Sequence, residues 1–221
     1  MDVSAGSKCD VLTANTRELR YPYNSFKNEV QAALATAFGA LVKPGTKAIK
    51  IESNGSRRTA DVVVAFEFRR YNRFNGLSDQ RFDKGIAFYT LNGKQIANYP
   101  KQHSENLTTK HQGAGKMFKP IVRIFKNMRS KLVDDGKIER GIAPSYYIEG
   151  LLYNVPNACF AGTYAGTVFA ILKWLHQTTD RSKFVCANEQ YYLLRDDSQV
   201  CWPVVNGDHF IKAAIQLWDK W

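Results

Sequence analysis

The sequence lacks the features that mark membrane, secreted and zinc-binding proteins. Its longest apolar run, Val168–Leu172, falls far short of the ~18 residues that span a bilayer. The N-terminus has no basic segment followed by an apolar one, so no signal peptide is visible. Only four cysteines occur, none in a C-x2-C pair or near a histidine at zinc-finger spacing. We therefore predict a reduced, cytoplasmic protein that makes no use of a membrane, with a Cys186–Cys201 bridge as the alternative.

Acidic residues are scarce compared with basic ones. The 221 residues include 31 lysines and arginines against 20 aspartates and glutamates, and the net charge is +11. A balance this basic favours a polyanionic partner, such as nucleic acid, nucleotide phosphates or an anionic membrane. The alternative interpretation is a soluble basic protein with solvated lysines, because the cations are spread along the chain and form no polybasic tail.

The pattern of apolar residues changes near Tyr99-Pro100, from mostly strands with one helix to mostly helices. The elements predicted before that point are a helix over 25–38, strands over 47–53 and 60–68, and a hairpin of 85–90 and 95–99. Asn54-Gly55 and Asn92-Gly93 are typical hairpin turns. The Val-rich strand over 60–68 is predicted to be central and buried on both faces.

Four helices are predicted in the second half of the chain. They cover 117–133, 144–153, 164–176 and 208–221, with an irregular or short β segment over 184–206 and a loop over 98–103. In the clearest helix, 117–133, the apolar side chains share one face. Lys119, Arg123 and Lys126 lie opposite that face.

Three features could carry chemistry: Asp61, Asp2 and the basic face of the 117–133 helix, after which Ser145-Tyr146 begins the next helix. Asp61 is at the start of the Val-rich strand. A carboxylate at the start of a core strand must be solvated, paired or metal-bound, because burying it alone is costly. Asp2 lies in what reads as the tail of another strand. Ser145 and Tyr146 begin a helix, whose unpaired N–H groups and hydroxyl suit a phosphate.

Five segments, taken together in this order and spacing, resemble one protein family. They are Ser25-Phe26-Lys27-Asn28, residues 58–66 (RTADVVVAF), residues 98–103 (NYPKQH), residues 123–127 (RIFKN) and residues 144–149 (PSYYIE). The chain resembles, over roughly residues 1–160, the cGAS-like (CD-NTase) nucleotidyltransferases of the polymerase-β superfamily. The resemblance implies an α+β fold: a polymerase-β-like mixed sheet with helices over 1–103, and a helical C-terminal subdomain over 104–221. It places the nucleotide cleft between the two.

The resemblance also implies a metal site and a nucleotide site. In that family three carboxylates hold two Mg²⁺ ions, with Mn²⁺ as the alternative, and Asp61 and Asp2 match two of the three. Lys126 and Ser145 would contact the donor phosphates and Tyr146 would stack on the donor base. Arg123 would be a second phosphate contact.

The chain departs from the family pattern at its N-terminus. The Gly-Ser motif that holds the triphosphate should precede a D-x-D pair, yet Gly6-Ser7 and Gly55-Ser56 are both misplaced for that role. The first aspartate of the pair would fall just before Met1. We therefore expect a family member that is incomplete at its N-terminus.

The function implied by the resemblance is synthesis of a cyclic oligonucleotide messenger from nucleoside triphosphates. The product would activate a separate effector in bacterial anti-phage signalling. Two alternatives stay open: a template-independent RNA nucleotidyltransferase or nucleic-acid-binding relative, which the charge of +11 favours, and a catalytically inactive nucleotide-binding fragment, which the absent carboxylate favours.

Overall fold

The computed structural model describes residues 21–198 and 200–220, which divide into two compact units, 21–100 and 101–220. The first unit contains α1 (Tyr23–Phe38), β1 (Val42–Pro44), β2 (Ile49–Ile51), β3 (Ala60–Val62), β4 (Phe66–Phe74), β5 (Gln80–Tyr89) and β6 (Gln95–Asn98). The second contains α2 (Pro100–Gly113, whose first residue belongs to the other unit), α3 (Phe118–Asp134), α4 (Ser145–Tyr153), α5 (Tyr164–Gln177) and α6 (Val204–Trp218). This order confirms the predicted α+β class with a helical C-terminal part. The boundary at 103/104 stays a prediction.

The first unit is built from two small antiparallel sheets and one helix. The strand orders are β1-β2-β3 and β4-β5-β6. A short core joins them, in which Tyr23, Ile49, Val64 and Phe88 are buried. The Tyr23 hydroxyl donates to the Val64 carbonyl at 3.1 Å. Because Tyr23 is buried and bonded in this way, α1 begins at Tyr23, two residues before the predicted start.

The prediction of one central strand over 60–68 is wrong. β3 ends at Val62 and pairs with β2, while β4 begins at Phe66 and pairs with β5. Between them Val63 is 43% exposed, whereas Val64 turns inward and is buried. A short Val-rich run satisfies a long strand and two short strands equally well, so its composition does not reveal the change of sheet.

The positions of the turns were predicted more accurately than the lengths of the strands. β5 and β6 form the predicted hairpin across Asn92-Gly93, where Gly93 has a φ of 72°. β2 and β3 are antiparallel neighbours around Asn54-Gly55, but through a longer connection over 52–59. The β4–β5 hairpin was missed, although Asn75-Gly76 at its tip is the same type of signal.

The second unit is a helical domain with a large apolar core. α3 confirms the strongest prediction, since Phe118, Ile121, Phe125, Met128 and Leu132 are all buried on one face. α4 and α5 also lie where they were predicted. No helix among the described residues is long and apolar enough to cross a membrane.

Two helix assignments need correction. Residues 98–103 are not all loop, because α2 begins at Pro100, a residue that favours the first turn of a helix. α6 begins at Val204 rather than 208, because the Asp196 side chain accepts from the Val204 amide at 2.9 Å and caps the helix.

The chain between α5 and α6 is irregular, as predicted, with isolated bridges at Val185–Tyr192 and Leu194–Trp202. Cys159, Cys186 and Cys201 are free thiols, so the Cys186–Cys201 bridge does not form. Burial raises the pKa of Cys186 to about 12, which keeps that thiol protonated.

Candidate functional site

Three helices of the second unit bring a lysine, a glutamate and a histidine together. Lys126 of α3 donates from Nζ to Oε1 of Glu149 on α4 at 2.6 Å. Nε2 of His103, on α2, lies 2.9 Å from Oε2 of the same carboxylate. The side chains of His103, Glu149 and Lys126 are 14%, 22% and 27% exposed. The group therefore lies at the edge of the core, within reach of a solute.

Tyr146 packs on this group. Its ring lies nearly parallel to that of His103, with centroids 4.9 Å apart and an interplanar angle of 15°. Its hydroxyl accepts from Nδ2 of Asn188 at 3.1 Å. Burial raises the pKa of Tyr146 far above its ordinary value, so the hydroxyl stays neutral. The Tyr146 ring is thus fixed by the His103 stack on one face and by the Asn188 hydrogen bond at its hydroxyl.

The loop that carries Asn188 is itself well anchored. Asn188 is fully buried, and its Oδ1 accepts from the Gln190 amide at 3.0 Å. Asn106 of α2 donates to the Ala187 carbonyl at 2.8 Å. The Tyr153 hydroxyl donates to Glu189, which adopts a left-handed φ of 58°. These hydrogen bonds fix the loop, and the loop in turn holds the Tyr146 hydroxyl through Asn188.

Ser145 opens α4 and is exposed beside an arginine. Nη1 of Arg129 donates to the Ala143 carbonyl at 3.1 Å and lies 3.4 Å from the Ser145 hydroxyl. No carboxylate pairs with Arg129 in the part of the chain that the structure describes. An arginine and a hydroxyl at a helix N-terminus are groups that bind phosphate oxygens.

The charges of the cluster leave a net positive site. Burial alone would raise the pKa of Glu149, but the hydrogen bonds and charges of His103 and Lys126 outweigh it and lower that pKa. Glu149 is therefore ionised and offsets Lys126, while Arg129 stays uncompensated among the described residues. The resulting field suits an anionic ligand.

The other predicted site residues fall elsewhere. Asp61, in β3, is exposed and has no hydrogen-bond or ion-pair partner within 21–198 and 200–220. Arg123 is exposed one turn before Lys126 and is likewise unpaired within those ranges. Asp2 lies outside the described residues. No group of three histidine, cysteine, aspartate or glutamate side chains poised for a metal occurs in the described chain.

Sequence reasoning brought Lys126, Ser145 and Tyr146 together but missed their partners. Arg129 lies three residues after Lys126 and Glu149 three after Tyr146, so helical spacing places each pair on one face. That signal could have identified both residues. Asn188 is 42 residues from Tyr146 and in an irregular loop, where no periodic pattern could identify it.

Known proteins match this chain along most of its length. The family model for the cGAS/DncV-like nucleotidyltransferase C-terminal helical domain matches residues 105–219. The chain is 36% identical over 203 residues to a cyclic UMP-AMP synthase of Rhodothermus marinus, covering 91% of this chain and 68% of the synthase. It is 38% identical over 209 residues to the cyclic nucleotide synthase CdnE01 of Staphylococcus haemolyticus, covering 92% and 69%.

Solved structures agree with these matches. The Rhodothermus marinus CdnE c-UMP-AMP synthase with Apcpp and Upnpp has a TM-score of 0.83 and 35% identity, over 92% of this chain and 68% of that one. The Elizabethkingia meningoseptica CdnE cyclic dinucleotide synthase with GTP and Apcpp has a TM-score of 0.77 and 28% identity, over 90% and 71%. Both solved relatives therefore hold nucleotides or nucleotide analogues.

Proposed function

The chain belongs to the cGAS/DncV-like nucleotidyltransferase (CD-NTase) family, and from that premise we propose that it joins nucleoside triphosphates into a cyclic di- or trinucleotide. In the reaction, a ribose hydroxyl attacks the α-phosphate of a nucleotide, a phosphodiester forms and pyrophosphate leaves. The homologous cyclic dinucleotide synthases support this activity. The product would act as a messenger on a separate effector in anti-phage signalling.

One observation carries the proposal: a cation, a hydroxyl and a supported aromatic ring occur together on the helical unit. Lys126 and Ser145 would bind the phosphates, with Arg129 beside them, and Tyr146 would stack on the base. Stacking of this kind contributes about 1–3 kcal/mol per base. Phosphoryl transfer depends on such positioning and on charge neutralisation more than on a strong base.

The family is typically metal-dependent, and we propose Asp61 and Asp2 as the ligands for Mg²⁺ in this chain. Asp61 fits the role because it is an exposed carboxylate with no protein partner in the described part of the chain. Carboxylate oxygens are the ligands that Mg²⁺ prefers. When bound, Mg²⁺ or Mn²⁺ would neutralise the triphosphate and acidify the attacking hydroxyl.

The test is synthesis by the protein expressed from its complete reading frame. The enzyme is incubated with radiolabelled nucleoside triphosphates and Mg²⁺, and the products are treated with phosphatase. A cyclic product has no terminal phosphate, so we expect a phosphatase-resistant species that disappears with EDTA. Release of only inorganic phosphate, or no turnover with any triphosphate mixture, would rule out the proposal.

A second candidate function, nucleic-acid binding, is favoured by a cationic patch at the start of α3. Lys116, Lys119 and Arg123 are exposed there and unpaired by any carboxylate of the described residues. Partial burial, and then the charges of these three residues, lower the pKa of His111. Binding to single-stranded RNA should weaken steeply with salt. A flat salt response or no binding would remove this candidate.

A further inference from the structure

The carboxylate of Glu149 is shared between two functional side chains. One oxygen accepts from Lys126 and the other is bonded to His103. His103 in turn stacks on Tyr146. A movement of this one carboxylate would therefore shift both the ammonium group and the ring.

We propose that Glu149 is a positioning residue that couples the phosphate-binding Lys126 to the base-stacking Tyr146 through His103. This inference rests on the proposed function, because it assumes that Lys126 and Tyr146 contact the nucleotide. It adds two residues, Glu149 and His103, that set the geometry without touching the reacting atoms.

The role of His103 follows from its two ring nitrogens. Nε2 faces the Glu149 carboxylate, whereas Nδ1 is buried with no hydrogen-bond partner among the described residues. A proton on Nδ1 would be a buried donor without an acceptor, so Nε2, the ring nitrogen that faces the carboxylate, is the one that bonds to Glu149.

The stack with His103 also restricts how a base can reach Tyr146. His103 covers one face of the ring in a parallel arrangement. The Asn188 bond at the hydroxyl limits rotation of the ring. A nucleobase that stacks on Tyr146 would therefore meet a ring whose position His103 helps to fix.

The same contacts are not needed to hold α4 in the domain. Ile148, Leu151 and Leu152 are fully buried on the core side of the helix and belong to the main apolar cluster. Glu149 projects to the partly exposed edge instead. Removing its charge should leave the helix folded, so an effect on ligand binding can be measured.

The experiment uses the full protein and two probes with Mg²⁺ in calorimetric titrations. Inorganic tripolyphosphate reports the phosphate contact, and the non-hydrolysable analogue Apcpp reports phosphate and base together. We expect Glu149→Gln to weaken Apcpp by about tenfold, because the bonds that position Lys126 and His103 are lost, and tripolyphosphate by less, because the neutral amide no longer offsets the Lys126 charge. We expect His103→Ala to weaken Apcpp by about tenfold and tripolyphosphate by less than about twofold. Glu105→Gln, which removes an exposed carboxylate of α2, is the matched control.

A second variant keeps the test valid if Glu149→Gln is unstable. Glu149→Asp retains the charge but is one methylene too short to reach both partners, so it should lose affinity as well. If both Glu149 variants bind like Glu105→Gln while Lys126→Ala still loses affinity, the coupling is refuted and the proposed site survives. If Lys126→Ala and Tyr146→Ala also bind like the wild type, the site assignment fails and this inference fails with it.

Discussion

The two carboxylates for which we propose roles are held in opposite ways. Glu149, in the helical unit, is partly buried and bonded through both oxygens to Lys126 and His103. Asp61, in the strand unit, is exposed and has no partner among the described residues. The proposed nucleotide-binding group of the helical unit is thus assembled by the protein's own contacts. The carboxylate that we propose as a Mg²⁺ ligand lies in the strand unit and has no such contacts among the described residues.

The largest expected effect comes from Asp61. Asp61→Asn keeps the shape of the side chain and removes the charge, so kcat in the complete protein should fall on the order of 10²–10³-fold. Apcpp binding measured without Mg²⁺ should change less than about twofold. Asp134→Asn, an exposed carboxylate at the end of α3, is the control. Equal loss in both variants would contradict a metal-binding role for Asp61.

The next largest effect is expected from loss of the Tyr146 ring. Tyr146→Ala removes the ring and should raise KM for nucleoside triphosphate by about tenfold or more, since base stacking is lost. Tyr146→Phe keeps the stack and loses only the Asn188 bond, so KM should stay near the wild-type value. A KM that rises equally in both variants would show that the hydroxyl, not the ring, matters.

Two arginines of α3 give a matched pair for a smaller effect. Arg129→Met should weaken tripolyphosphate binding by about fivefold, because the guanidinium lies beside Ser145. Arg123→Met, one turn and a half away, should change it by less than about twofold. The reverse order would favour Arg123, the residue that the family resemblance suggests, as the phosphate contact.

The smallest effect is expected in acid. Burial opposes ionisation of Glu149, but His103 and Lys126 outweigh it and hold the pKa below its ordinary value of 4.5. The stabilisation by this ion pair is therefore complete above that value and is lost as pH falls through the lower, folded-state pKa. The free energies of unfolding of wild type and Glu149→Gln, measured in urea, should differ most near pH 7 and should approach each other as the pH falls below 4.5. A difference that grows in acid would contradict the sign of the shift.

The sequence predicted the helical unit better than the strand unit for a physical reason. The sequence of α3 predicts a helix through six buried side chains at helical spacing, a period that a strand does not have. The run around Val63 has no such period, and only tertiary contacts decide that the chain leaves one sheet and joins another. The start of α6 was missed for a similar reason, because its cap comes from Asp196.

The residues of the candidate site also differ in whether a local sequence pattern or only a tertiary contact reveals them. Lys126, Ser145 and Tyr146 were predicted as site residues because they occur in short segments that resemble a family. The family membership is confirmed, and their roles stay predictions. Asn188 and His103 were not assigned to the site, since each meets Tyr146 across at least 42 residues of chain. Local patterns carry no information about such distant contacts.

Residue order alone determined the α+β class, the amphipathic helices and the family, because these follow from local periodicity and short motifs. Tertiary structure alone decided that Glu149 bonds to two partners and that the ring of His103 stacks on that of Tyr146. It also decided that Asp61 has no bonding partner among the described residues. The reason is that a hydrogen bond or a ring stack requires atoms within a few ångströms of each other. Only packing of the helices creates that proximity between positions far apart in the chain.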